Sequence, residues 1–267
     1  MTTFITIYFF IIGLCFGSFA LATAWRIKKN KDFVKQRSEC ENCHHKLSAS
    51  DLLPLFSWIF MRGKCRYCGN KLSALLPLAE LTGGIFFGLS FFAWPYALNG
   101  VLAITGFVLW CMSLVLLLIL FFYDLQWTIL PNKVMYPLWA VSLMYALTNF
   151  AGHASWMFIV NILSAIAVSF GIFYIFFNVS KGTWIGYGDV RLGIAIGLLV
   201  STPAKSAIVL FIASVVGILF SLPGLVTGSR KLASKIPFGP LLIIGLVFTM
   251  LYGQQLIDWY MHSILLL

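Results

Sequence analysis

Eight apolar runs separated by short polar stretches decide what this chain can become. They lie at about residues 4–25, 75–94, 101–123, 134–149, 156–178, 190–200, 205–226 and 238–259. Of the 267 residues, 61% are hydrophobic and only 10% charged, so the runs carry almost no ionisable groups. A bilayer core has no water to satisfy backbone N–H and C=O groups, and a segment inside it must close its hydrogen bonds within a helix. The expectation is an all-α polytopic membrane protein with about eight transmembrane helices and a small cytoplasmic insert. Residues 190–200 are short for a span. At ~1.5 Å per residue they rise well under the ~30 Å of a hydrocarbon core unless flanking residues join them.

Lysine and arginine set the predicted orientation. Residues 26–71 hold eleven of the eighteen basic side chains. Lys133, Lys181, Arg191 and the trio Arg230, Lys231 and Lys235 fall in loops that eight crossings place on the same side, and only Lys205 falls opposite. Positive loops stay in the cytoplasm. The insert is therefore expected inside, both termini outside, and the net charge of +10 mainly topological. Basic loops at that face suit an anionic lipid surface. Nucleic acid is not expected, since no basic and aromatic groove motif accompanies the charge. Ala20-Leu21-Ala22 and Ala22-Thr23-Ala24 look like small-residue cleavage sites, but the basic residues follow the first run rather than precede it. That order predicts an anchor, not a cleaved leader.

The expected division is a first transmembrane helix at 1–25, a cytoplasmic four-cysteine loop at 26–74 and a transmembrane core at 75–267. The loop contains Cys40, Cys43, Cys65 and Cys68, a C-x2-C pair, twenty-one intervening residues and a second C-x2-C pair. Each pair can sit on a tight turn and aim two thiolates at one ion, which predicts a closed, structural tetrahedral zinc site. Gly69 suits such a turn, and Lys64 and Arg66 would offset the thiolate charge. A reducing cytoplasm disfavours disulfides. Cys40 to His44 also spells the C-x-x-C-H haem attachment motif, whose chemistry belongs on the other side of the membrane. His44 or His45 could replace a cysteine as ligand, although a solvated loop position is the simpler expectation. Cys15 and Cys111 read as packing residues.

Two aspartates occupy positions where charge is costly. Asp124 ends the third run, just before Leu130-Pro131-Asn132, and Asp189 closes Gly186-Tyr187-Gly188. The predicted topology puts both at one membrane face. Two carboxylates in a low-dielectric cleft tend to share a proton, giving a general base and a general acid that can activate water against a peptide carbonyl. Against this stands a structural alternative, Asp189 as the N-cap of the helix that follows it. Glu80 is a third acid in apolar surroundings, suited to a polar ligand or to a bond with another helix. Asp258 is expected at the outer interface.

These pieces together resemble the type IV prepilin leader peptidases. The resemblance runs from about Gly17 to Pro240 through Gly17-Ser18-Phe19, the two cysteine pairs around Leu53-Pro54-Leu55-Phe56-Ser57-Trp58, Arg62-Gly63-Lys64-Cys65 and Pro77-Leu78-Ala79-Glu80-Leu81. It continues through Asp124-Leu125, Leu130-Pro131-Asn132, Gly186-Tyr187-Gly188-Asp189-Val190 and Pro237-Phe238-Gly239-Pro240. It implies a membrane aspartic endopeptidase in the bacterial inner membrane that cuts pilin-like or pseudopilin precursors after the glycine of a basic leader. Asp124 and Asp189 match the catalytic pair. It also implies, for many members, methylation of the new N-terminus from S-adenosylmethionine, for which Glu80 is the candidate contact. Ala20-Leu21-Ala22 and Leu75-Leu76 depart from the family pattern in the methylation-associated part, and Arg191 stands where a lysine is common. A presenilin-like protease shares the two-aspartate pattern. From other classes, a proton-coupled transporter or a zinc-loop scaffold would also hold such residues, the first showing proton movement without cleavage and the second indifferent to loss of both aspartates.

Overall fold

Small residues decide how the first two long helices meet. The computed structural model describes residues 2–31, 38–40, 42–152, 154–226 and 237–265. The basic trio Arg230, Lys231 and Lys235 lies outside them, as does Glu41 of the first cysteine pair. Helix α1 (Thr2–Lys28) and helix α3 (Leu75–Phe92) pack along most of their length. At their contact Gly13 faces the Gly83 carbonyl and Gly17 the Ala79 carbonyl, so closely that a Cβ on either glycine would collide with backbone. Helices in lipid gain little from burying apolar side chains against each other, so close backbone approach through small residues supplies the contact. Phe16 stacks on Phe87 and Phe9 on Phe91 along the same seam.

Between them lie a one-turn 3-10 helix (Ala49–Leu52) and helix α2 (Phe56–Phe60). No strand occurs among the described residues; Glu39 with Lys46 and Lys64 with Lys71 form two isolated antiparallel bridges. Met1–Phe92 is one compact unit and Ala93–Leu267 a second.

The second unit contains α4 (Val101–Trp127), α5 (Asn132–Gly152), α6 (Trp156–Val179), α7 (Tyr187–Val200), α8 (Pro203–Val226) and α9 (Phe238–Tyr260). Its packing centres on α7, which touches α5, α6, α8 and α9, while α4 packs on α5 and α9. Gly193 of α7 would place a Cβ 2.7 Å from the Ser169 carbonyl of α6, and the Ser169 hydroxyl donates to the Gly193 carbonyl at 2.7 Å. Trp110, Leu114, Leu117, Leu118 and Phe122 of α4 are fully buried.

Seven helices, α1, α3, α4, α5, α6, α8 and α9, are long and apolar enough to cross a membrane. The protein is an all-α multi-pass membrane protein. The sixth run, the short one, does form a helix, but α7 has 14 residues, fewer than a full-length span, and is sheathed by its neighbours. Two boundaries differ from the sequence expectation. Helix α4 continues to Trp127, so Asp124 lies inside its last turn instead of at its end. Helix α7 starts at Tyr187, three residues early, because Gly186 supplies the extended cap.

Candidate active site and metal centre

Asp124 and Asp189 come together in the second unit. Thr128 ends α4 in the left-handed conformation (φ 52°), its N–H bonded to the Asp124 carbonyl at 2.7 Å. The chain then turns through Ile129, Leu130 and Pro131 into α5. Leu130 is buried against Gly188, where a Cβ would stand 3.0 Å from that of Leu130. Gly188 thus lets the turn after α4 close onto the start of α7, the step that brings the two aspartates together. Both are buried, 5% and 8% exposed, and both line a cavity of about 220 Å³ with Tyr187 and Arg191.

Asp189 is not the N-cap of α7. With Gly186 as cap it is the third residue of the helix, where its carboxylate meets the unsatisfied N–H groups and the positive end of the helix dipole. The Gly186 N–H reaches back to it. Asp124 receives its donor from elsewhere: the Gly239 N–H, in the first turn of α9, donates to Oδ2 at 3.1 Å. A Cβ on residue 239 would lie 2.7 Å from that oxygen, so only glycine permits the approach. Sequence reasoning quoted Pro237-Phe238-Gly239-Pro240 without a role for it; the partners are 115 residues apart and no spacing rule links them.

Asn132 and Arg191 were also without a role. The Arg191 guanidinium donates to Asn132 Oδ1 and lies 5.1 Å from the centre of the Tyr187 ring, while the Trp139 indole donates to the Arg191 carbonyl at 3.1 Å. Its charge forms no ion pair with either aspartate.

The first unit holds the cysteines. The two C-x2-C turns are built alike: the His44 N–H donates to the Cys40 carbonyl at 2.9 Å and the Gly69 N–H to the Cys65 carbonyl at 2.9 Å. His44 (φ 56°) and Gly69 (φ 70°) take the same left-handed position, which shows why glycine suits it. His44 is thereby a turn residue, and the His45 ring packs on Tyr67 at 3.7 Å between centroids. The four Sγ atoms lie within 4.8 Å of one another, Cys40 and Cys68 at 3.9 Å. A tetrahedron with metal–sulfur bonds of ~2.3 Å has edges of ~3.8 Å, whereas a disulfide needs ~2.05 Å. The cluster fits a metal ion. Arg66, expected to balance thiolate charge, instead pairs with Asp51 at 3.2 Å. Burial of Asp51 opposes its ionisation, but bonds from the Ser48 hydroxyl and N–H and from Tyr67, with the Arg66 charge, hold its carboxyl below the usual range.

Glu80, buried in α3, is bonded within its own unit. Its Oε2 accepts the Leu55 N–H at 2.7 Å, and Ser18 also bonds to it. Cys15 is exposed in α1 and Cys111 partly buried in α4. Asp258 is held only by Gln254, one turn away, at 3.0 Å.

Fold and site define a polytopic membrane enzyme with a metal-binding insert. The bacterial Peptidase A24 N-terminal domain matches residues 11–94, and the Type IV leader peptidase family matches residues 111–222. The chain belongs to the type IV leader peptidase family. It is 27% identical over 263 residues to the prepilin leader peptidase/N-methyltransferase of Bacillus subtilis (strain 168), covering 96% of this chain and 98% of that one. Identity is 30% over 237 residues to the protein of that name from Aeromonas salmonicida (strain A449), covering 86% and 76%. With the one from Myxococcus xanthus (strain DK1622) it is 33% over 227 residues, covering 81% and 63%. No solved structure matches.

Because a Cβ at position 239 meets the Asp124 carboxylate, Gly239→Ala should push that group aside without unfolding α9. Displacement on the ångström scale costs about 10²-fold in rate. Peptidase turnover is expected to fall by that order while the thermal midpoint in detergent stays near wild type.

Proposed function

We propose that this protein cleaves the basic leader from pilin-like and pseudopilin precursors after the leader glycine, at the cytoplasmic face of the bacterial inner membrane, with Asp124 and Asp189 as one water-activating pair. The observation that carries the reading is that the two buried acids line a single cavity in a chain of this family. One carboxylate is ionised and takes a proton as the water oxygen attacks the scissile carbonyl carbon. The other is protonated and donates to the carbonyl oxygen; as the C–N bond breaks, the first carboxyl passes the proton it took from water to the leaving amine, and the second takes a proton back from a hydroxyl of the tetrahedral intermediate, which restores the pair. The precursor's apolar segment stays in the bilayer and holds the bond at the depth of the pair, and glycine keeps the strand slim enough to enter. The Gly239 N–H fixes the Asp124 rotamer throughout.

In the same reading residues 1–25 form the first span, 26–74 a cytoplasmic metal loop and 75–267 the peptidase core; with α7 as a short eighth crossing inside the helix bundle, both termini lie outside the cytoplasm. Cys40, Cys43, Cys65 and Cys68 hold a structural zinc; four thiolates leave no open coordination site, so the metal folds the loop and takes no part in hydrolysis. The second activity, N-methylation, uses S-adenosylmethionine. Glu80 offers the negative charge its sulfonium needs, on a carboxylate shared with the Leu55 N–H.

Asp124→Asn and Asp189→Asn should each lower precursor cleavage by roughly 10²–10⁴-fold, with the double variant little worse, because the pair acts as a unit. Near-normal cleavage by either well-expressed variant would exclude the pair and reopen the transporter and scaffold readings. Metal analysis should find one zinc per chain, and a chelator should render all four thiols alkylatable and the loop protease-sensitive. Absence of zinc with free thiols in the native protein would remove the site. Glu80→Gln should lower methylation of cleaved pilin, read by product mass, and leave leader removal intact; unchanged methylation takes Glu80 out of the donor site.

A further inference from the structure

The segment between the two cysteine turns presents a ridge of apolar side chains that the zinc loop does not explain. Phe60 is 82% exposed, Phe56 and Ile59 61% each, and Leu52 and Leu53 are exposed beside them. Phe56, Ile59 and Phe60 stand at i, i+3 and i+4, on one face of α2. The opposite side holds Trp58, whose ring lies where a Cβ on Gly63 would fall 2.9 Å away. The segment thus has an inner side packed on the loop and an outer side of large hydrophobic groups left exposed among the described residues.

Its depth follows from Glu80. That residue lies five positions into α3, ~7.5 Å beyond Leu75 along the helix axis. Helix α3 has 18 residues and is ~27 Å long, barely the ~30 Å of a hydrocarbon core, so none of it can be spared from the span. The 2.7 Å bond from the Leu55 N–H to Glu80 Oε2 therefore holds the start of α2 below the upper end of a membrane helix. The backbone is suited to that depth. The N–H of residue 55 is taken by Glu80, and those of 56, 57, 59 and 61–64 by carbonyls of the same segment. Backbone donors can enter an apolar phase only when satisfied in this way. Immediately beyond the ridge stand Arg62, Lys64 and Lys71, exposed and without a carboxylate partner among the described residues.

We propose that residues 52–60 form a wedge that dips from the metal-binding loop into the lipid, with Phe56, Ile59 and Phe60 among the acyl chains and Arg62, Lys64 and Lys71 at anionic headgroups. The occupant of the ridge is the bilayer. Amphipathic segments of this kind bind by buried apolar area together with attraction between flanking cations and anionic lipid. Glu80 is the latch that sets the wedge's depth, a role independent of any contact it makes with a methyl donor.

The test places a genetically encoded environment-sensitive fluorescent amino acid at position 60, and separately at 59, in the full chain reconstituted into phosphatidylethanolamine–phosphatidylglycerol vesicles. A probe at position 46, on the exposed cysteine turn, serves as the reference. Lipids brominated in the upper acyl chain should quench the probes at 59 and 60 several-fold more than aqueous iodide does, and the order should reverse at 46. Stronger iodide quenching at both 59 and 60 overturns the proposal. Shielding from iodide that appears only when the protein-to-lipid ratio is raised, or only when a precursor is added, overturns it in favour of a second copy or the substrate.

Discussion

Each buried carboxylate in the described structure is set against the start of a helix. Asp51 lies in the first turn of its 3-10 helix and completes a capping box with Ser48. Glu80 accepts from Leu55, the residue that caps α2, and Asp124 accepts from Gly239 in the first turn of α9. Asp189 occupies the third position of its own helix. The start of a helix is where N–H groups lack internal acceptors and where the dipole favours negative charge. An acid placed there satisfies donors that would otherwise be orphaned in an apolar interior, and the donors in turn offset the cost of burying the acid. One device thus serves both units: in the first it fastens loop to helix, in the second it orients the cavity's acids.

That device also explains the arrangement of cations. Only two ion pairs occur among the described residues, Lys31 with Glu39 and Arg66 with Asp51, both in the metal-binding loop. Arg191 lines the same cavity as the aspartates, yet its guanidinium is engaged by Asn132 and the Tyr187 ring and forms an ion pair with neither acid. An aspartate locked to a guanidinium would be a poor proton acceptor. Backbone N–H groups orient the carboxylates without adding a full positive charge.

Much of this was legible in sequence because it is local. Apolar runs gave the helices, and the C-x2-C spacing gave the metal cluster, since each turn needs only four consecutive residues and one left-handed position after them. Asp124 and Asp189 stood out as acids in apolar surroundings. What could not be read was long-range: that Gly239 donates to Asp124, that Leu130 seats on Gly188 and that Leu55 meets Glu80. Each depends on two helices meeting at a particular depth, which period and composition leave open. The late start expected for α7 had a local cause. Tyr187 and Gly188 are poor helix formers by propensity, so the helix seemed to begin at Val190; the extended cap at Gly186 and the packing of Leu130 override that preference.

The cavity lies at the start of α7, the shortest α-helix of the second unit among the described residues. Its 14 residues reach ~21 Å, whereas α4 and α6, with 27 and 24 residues, reach ~40 and ~36 Å. At the first turn of α7 lies a recess, lined on one side by the last turn of α4. The recess is where Gly186, Gly188 and Asp189 lie, and it is where the cavity forms. Had residues 180–186 continued the helix, side chains would fill that space and close the approach to the acids. Lys181 and Gly182 instead adopt left-handed backbone (φ 50° and 76°), which stops α6 and carries the chain across to Gly186 without a helical turn. The glycine-rich approach to Asp189 therefore does two things at once. It separates the end of α6 from the start of α7, and it leaves the backbone at Gly186 and Gly188 without side chains beside the cavity.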